Sequence, residues 1–68
     1  MKKFSYVVEV CYGNHNEWSD EVSNYCDALK HARKMSEMQG VSEARIWCED
    51  ELIDILVEGD FVENYEED

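Results

Sequence analysis

One helical pattern interrupts a chain that otherwise alternates between apolar and polar residues. Asn24 is a favourable N-cap residue, and Gly40 is placed to end a helix in the left-handed conformation. Between these two positions, apolar residues recur every three or four residues, as they do along one stripe of an amphipathic helix. The sequence therefore predicts one helix over residues 24–39. The apolar stripe consists of Tyr25, Ala28, Leu29, Ala32 and Met35.

Segments with a period of two lie on both sides of this helix, and that period is typical of β-strands. They cover residues 4–12, 18–22, 44–48 and 52–57. The order β-β-α-β-β predicts a single α+β domain over residues 1–68, with an antiparallel-rich sheet and the helix packed on one face. Residues 60–68 are predicted to form an acidic C-terminal tail. Within this tail, Phe61 and Val62 form either a short fifth strand or a packing turn.

Strict alternation assigns each strand residue to one face of the sheet. One helix covers one face only, so the other face, called the open face below, meets water or a partner. Trp47, Leu52 and Leu56 are predicted on the open face, where an exposed Trp beside leucines is typical of a binding hot spot. The alternative is that the C-terminal segment folds back and covers them. The predicted core consists of Phe4, Tyr6, Val8, Val10, Trp18, Val22, Leu29, Ala32, Met35, Ile46, Ile53, Ile55 and Val57.

Negative charge is concentrated at the C-terminal end of the chain. The 68 residues carry 17 acids and six Lys or Arg, a formal net charge of −11. Ten of the acids, and none of the Lys or Arg residues, lie in residues 49–68. A field of this sign repels nucleic acid and attracts basic protein surfaces. We therefore expect a basic protein as the partner and no direct binding of nucleic acid.

The same acids suggest how such a partner is bound. Alternate residues of an extended strand lie roughly 6.6–6.8 Å apart, close to the spacing of phosphates along one nucleic-acid strand. The acids could thus present a band that imitates a nucleic-acid backbone; the alternative is that they only keep a small protein soluble. The predicted partner-binding residues are Trp47, Leu52, Leu56, Glu49, Asp50, Glu51, Asp54, Glu58, Asp60 and Glu63.

Signals for catalysis, cofactors and metals are missing from the sequence. His15 and His31 have no partner at a diagnostic spacing, and the glycines form no phosphate-binding motif. Three widely spaced cysteines predict free thiols in a reducing compartment, without a metal site or a disulfide framework. No segment approaches the roughly 20 apolar residues of a membrane span. We expect a cytoplasmic protein that is not an enzyme and does not associate with membranes.

The element order resembles that of small phage-encoded proteins, including anti-CRISPR proteins. The resemblance covers about residues 4–58. It includes the run Asp27-Ala28-Leu29-Lys30-His31-Ala32-Arg33, followed by Gly40-Val41 and Ala44-Arg45-Ile46-Trp47. It implies an inhibitor that acts in the host bacterial cytoplasm and occupies a nucleic-acid-binding or protein-docking surface of a defence complex. No sequence motif unites anti-CRISPR proteins, so the resemblance assigns no functional residue.

Two functions are consistent with these features. The first is a small acidic inhibitor that binds a nuclease or surveillance complex of bacterial defence, with nucleic-acid mimicry as one candidate mode of binding. The alternative is a homodimeric structural or assembly module of phage origin that associates through its open sheet face.

Overall fold

The computed structural model describes residues 4–62. It confirms a small α+β domain with one helix and an antiparallel sheet, and Asp60–Phe61 adds a fifth strand. The acidic tail predicted beyond residue 62 lies outside the described residues. The elements are β1 Tyr6–Tyr12, β2 Asn16–Trp18, α1 Tyr25–Ser36, β3 Val41–Cys48, β4 Glu51–Val57 and β5 Asp60–Phe61.

The five strands lie in the order β2-β1-β3-β4-β5, and every neighbouring pair is antiparallel. The helix connects β1–β2 to β3–β4 and packs mainly on the central strand β3 and on its neighbour β1. Both edge strands are short, three residues in β2 and two in β5. Among residues 4–62, β5 pairs only with Leu56 and Val57 of the seven-residue β4.

The helix begins as predicted but ends earlier. The Asn24 side chain accepts hydrogen bonds from the backbone N–H groups of Cys26 and Asp27, which confirms Asn24 as the N-cap. At the other end the C-cap is Glu37, three residues before Gly40. Gly40 does have a positive φ of 93°, but it ends a turn that leads directly into β3 instead of capping the helix.

The second strand begins two residues earlier and ends four residues earlier than the sequence predicts. Asn16–Trp18 pairs with β1, and the chain then leaves the ladder before Val22 returns to it through an isolated bridge to Tyr6. Trp18 is opposite Glu9, on the open face, and its side chain is 59% exposed. The prediction of Trp18 as a core residue is therefore wrong.

The core lies between α1 and the sheet. Of the predicted core residues, Val8, Val10, Ala32 and Ile46 are buried. Five others pack against them as partly buried residues: Tyr6, Val22, Leu29, Met35 and Ile53. Besides Trp18, the predictions of Phe4 and Val57 are wrong, because both side chains are exposed. The core also contains Ala28, Ala44 and Leu56.

A β-bulge explains the error in β4. Trp47 pairs with Leu52, but Ile46 pairs with Asp54, so Ile53 is an extra residue in β4. Before the bulge the predicted faces hold, with Leu52 on the open face and Ile53 against the core. After it the faces are exchanged. Leu56 is therefore fully buried under the helix, while Ile55 is opposite Arg45 on the open face.

The exchanged faces turn Asp54 towards the helix. The Tyr25 hydroxyl, in the first turn of α1, donates a hydrogen bond of 2.5 Å to Asp54 Oδ2. The Tyr25 ring also packs edge-on against Tyr6, with 5.8 Å between ring centroids. Burial, together with the hydrogen bond to the Asp54 carboxylate, raises the pKa of Tyr25 to about 12.

This pair predicts a pH dependence of stability at alkaline pH. The pKa of Tyr25 is raised from an ordinary value of 10.0 to about 12 in the folded chain, so folding favours the neutral phenol. Its contribution is fully present below pH 10 and is lost as the pH rises through 12. We expect the stability difference between wild type and Tyr25→Phe, measured by urea denaturation, to shrink over this range. Tyr12→Phe is the control, and an identical pH profile for the two variants would contradict the assignment.

Candidate protein-binding cleft

A cleft of about 490 Å³ opens beside the turn between β3 and β4. Two tryptophans, Trp18 and Trp47, form part of its lining, although they lie 29 positions apart in the sequence. Their ring centroids are 6.2 Å apart and the ring planes are inclined at 45°. The complete lining is Ser5, Val7, Trp18, Glu21, Trp47, Glu49 and Asp50. The cleft therefore combines aromatic surface with three carboxylates.

Glu9 fixes the position of one of these tryptophans. Trp47 Nε1 donates a hydrogen bond of 2.9 Å to Glu9 Oε1. The second carboxylate oxygen of Glu9 accepts a 2.6 Å hydrogen bond from the side-chain amide of Asn16. Trp18 is paired with Glu9 across β1 and β2, and Trp47 is paired with Val7 across β1 and β3, so the strand register brings both indoles near this carboxylate.

The Glu9 carboxylate is buried although it lies on the open face. Glu9 is 5% exposed, and Arg45 Nη1 lies 3.5 Å from its Oε1 atom. Arg45 is also bound by Glu43, which accepts a hydrogen bond from Arg45 Nε. A buried carboxylate is costly unless it is paired and hydrogen-bonded, as Glu9 is here. This network lies on the open face, and its Glu9 carboxylate holds the indole of Trp47 in position through their hydrogen bond.

The turn beside the cleft has an unusual sequence for its backbone conformation. Glu49 and Asp50 are the two residues between the paired ends of β3 and β4, and both have positive φ, 49° and 75°. Two-residue hairpin turns of this type strongly favour Asn-Gly, because positive φ is unfavourable for residues with a bulky side chain. Asp tolerates positive φ better than most residues, so Glu49 is the residue that turn geometry alone would not favour here.

The acids of β4 and its flanking turns form two separate groups. Glu49, Asp50 and Glu51 lie at one end of β4, and Glu58 and Asp60 lie at the other. A seven-residue strand separates the groups by about 20 Å. Asp54, the only acid near the middle of the strand, faces the helix and binds Tyr25. For the described residues, the prediction of a continuous band of alternating carboxylates is therefore wrong.

The structure brings only part of the predicted partner-binding set together. Trp47, Glu49 and Asp50 line the cleft, and Leu52 is opposite Trp47 on the open face. The prediction of Leu56 as an exposed anchor residue is wrong, because Leu56 is fully buried in the core. Glu63 lies outside the described residues. The sequence reasoning missed Trp18 and Glu21 as cleft residues and Glu9 as the support of Trp47.

The ion pairs of Arg45 involve other acids than those at the ends of β4. Arg45 pairs with Glu9 and Glu43, and Arg33 donates a hydrogen bond to the backbone oxygen of Gly59. Within residues 4–62 no ion pair reaches any of the following acids: Asp50, Glu51, Asp54, Glu58 and Asp60.

Two further properties concern metals and membranes. Among residues 4–62, no group of three or more His, Cys, Asp or Glu side chains is arranged to hold a metal ion. The one helix in this region is too short and too polar to cross a bilayer.

Three comparisons with known proteins were made, and none gave a match. No protein-family model matches the chain. A search of curated proteins gave no match, and a search of solved structures gave none either.

Proposed function

We propose that this chain is a non-catalytic inhibitor that binds a basic surface of a nucleic-acid-handling protein. The partner class we favour is a bacterial defence nuclease or its surveillance complex, as for anti-CRISPR proteins. The observation that carries the proposal is the position of the β3–β4 turn, whose carboxylates adjoin a cleft with two tryptophans. Charge and aromatic surface, the two features that favour docking on a basic protein, are combined in one place.

Each feature has its own role in the proposed mechanism. The net charge of −11 steers the chain towards a positively charged surface and raises the association rate. Trp18 and Trp47 then supply the short-range contacts that slow dissociation, since Trp is enriched among residues that dominate binding energy. The mechanism requires one end of the sheet to dock. It does not require a continuous imitation of a nucleic-acid backbone.

A phage-infection assay tests the proposed partner class. Wild-type chain would be expressed in bacterial hosts that each carry one active defence nuclease, and phage plaquing would be compared with an undefended host. We expect plaquing to be restored in at least one defended host. We expect Glu49→Gln/Asp50→Asn/Glu51→Gln to lose this effect and Glu58→Gln/Asp60→Asn to keep it. Plaquing that stays low across the whole panel would contradict the proposed function.

One observation favours the homodimeric module as a second candidate. Beside Trp47, the open face carries an apolar row of Leu52, Ile55 and Val57, and Val57 is 37% exposed. A second copy could cover this row. Sedimentation of wild type and Trp47→Glu separates the candidates. A wild-type dimer that the substitution converts to a monomer would support the module, and a monomer in both cases would exclude it.

A further inference from the structure

We propose that the cleft lined by Trp18 and Trp47 binds one arginine side chain of the partner protein. This inference rests on the proposed function and specifies the chemistry of the contact. It begins with the two indoles, which line the same cleft with centroids 6.2 Å apart and planes inclined at 45°. A cation within about 6 Å of an indole centroid is attracted to the face of the ring, and Trp is the best aromatic residue for this contact.

The charges of the cleft are complementary to a cation. Its charged lining residues are Glu21, Glu49 and Asp50, and no Lys or Arg from residues 4–62 lines it. The three carboxylates come from two separate parts of the chain, the segment before α1 and the β3–β4 turn. A cation seated on the indoles could therefore be approached by carboxylates from more than one direction.

Arginine fits this combination better than lysine. A guanidinium group is planar and weakly hydrated, so it can stack on an indole while its N–H groups point outward. Those N–H groups match carboxylates in a bidentate arrangement, which an ammonium group cannot reproduce. The cleft volume of about 490 Å³ leaves room for one long side chain.

The cleft is also partly prepared for its ligand. Trp47 is held by the 2.9 Å hydrogen bond to the buried Glu9, so this wall needs little ordering when a cation binds. Trp18 is 59% exposed and therefore presents most of its ring to an incoming side chain. A cleft with one fixed indole and one exposed indole is suited to binding a side chain that projects from a protein surface.

Intrinsic fluorescence reports this cleft selectively, because Trp18 and Trp47 are the only two tryptophans in the chain. The full chain would be titrated with a blocked Gly-Ser-Arg-Ser-Gly peptide and with the same peptide carrying citrulline or lysine. We expect saturable binding of the arginine peptide, with a Kd on the order of 1 mM. Citrulline, which has a similar shape but no charge, should bind about tenfold more weakly. Lysine should bind about threefold more weakly.

Two variants test the residues. Trp18→Ala should weaken arginine binding about tenfold, with Trp47 as the remaining reporter, and its exposed position makes misfolding improbable. Glu21→Gln/Asp50→Asn should weaken binding by a similar factor. The control Glu58→Gln/Asp60→Asn removes the same amount of charge at the other end of β4 and should leave the affinity unchanged. An NMR spectrum of each variant establishes that it is folded.

Each outcome decides for or against the arginine site. Equal binding of arginine and citrulline peptides overturns it, as does an equal loss of affinity in both double variants. Equal binding of lysine overturns the preference for arginine. The proposed function is tested separately. If the peptide fails to bind while plaquing is still restored, only the cleft assignment is wrong. If the peptide binds while plaquing stays low, only the inhibitor function is wrong.

Discussion

Leu56→Ala is expected to lower the free energy of unfolding by about 3 kcal/mol, whereas Val57→Ala should cost less than about 1 kcal/mol. The two residues are neighbours in β4 and therefore lie on opposite faces, and the bulge at Ile53 decides that Leu56 is the one that faces the core. Leu56 is fully buried between the sheet and α1, and Val57 is 37% exposed on the open face. Truncating Leu56 removes buried apolar atoms and leaves a cavity in the core.

Urea denaturation monitored by circular dichroism measures both free energies. A domain of this size has modest stability, so Leu56→Ala is expected to be close to unfolding even without denaturant. Leu56→Val provides a milder change at the same site, with an expected loss of about 1 kcal/mol. The opposite order, a larger loss for Val57→Ala than for Leu56→Ala, is the result that an unbroken strand alternation predicts. It would show that the bulge is absent.

Glu9→Ala is expected to destabilise the chain by about 3 kcal/mol and to change the environment of Trp47. The substitution removes the acceptor of the Trp47 indole and of the Asn16 amide, and it removes one of the two carboxylates beside Arg45. These donors would remain on a half-buried surface without their partner. The Trp47 indole would lose its fixed position, so this side of the cleft would no longer be preorganised for a ligand.

Glu9→Gln is the matched variant, because the amide oxygen can still accept a hydrogen bond from Trp47. We expect it to cost about 1 kcal/mol, mainly through the lost charge beside Arg45, and to preserve most of the native fluorescence. Fluorescence spectra of Trp18→Phe chains, in which Trp47 is the only indole, would report the change directly. Similar stability and similar spectra for Glu9→Ala and wild type would show that Glu9 does not position Trp47.

The order of elements could be predicted because its signals are local. The three- and four-residue spacing of the helix, its Asn24 cap and the alternation in β1 each depend on a few neighbouring positions. These signals are sufficient for one helix on one face of an antiparallel sheet. The C-terminal end of the helix can be predicted less accurately. Gly40 adopts positive φ in the turn before β3, and a sequence pattern cannot distinguish such a glycine from one that caps a helix.

The faces of β2 and β4 could not be predicted in the same way. A bulge depends on how two strands pair, so the extra residue at Ile53 has no signature in the sequence of β4 alone. In β2 the chain leaves the ladder between Trp18 and Val22, and alternation does not carry across such a break. Simple alternation predicts Leu56 on the open face and Trp18 in the core, whereas in the structure Leu56 is buried and Trp18 is exposed.

The cleft could not be predicted in full, because it is formed by contacts between distant parts of the chain. Trp47 was predicted on the open face from its parity in β3, and this placement is confirmed by its pairing with Val7 and Leu52. Its neighbour Trp18 and its support Glu9 come from β2 and β1, which lie more than 25 positions earlier. The alternation of residues along each strand places Glu9 and Trp47 on the same face of the sheet. Their hydrogen bond also depends on how the strands are aligned, which alternation alone does not predict.

An NMR titration of the labelled chain with the arginine peptide tests most directly whether the cleft is the docking site for a basic partner. The two indole N–H signals, one from each tryptophan, are expected to shift saturably with the same Kd. Backbone shifts should be confined to the cleft residues Ser5, Val7, Glu21, Glu49 and Asp50. Shifts centred on Glu58 and Asp60, or spread over all acids while both indole signals stay in place, would show that negative charge alone attracts basic ligands and that the cleft does not bind them.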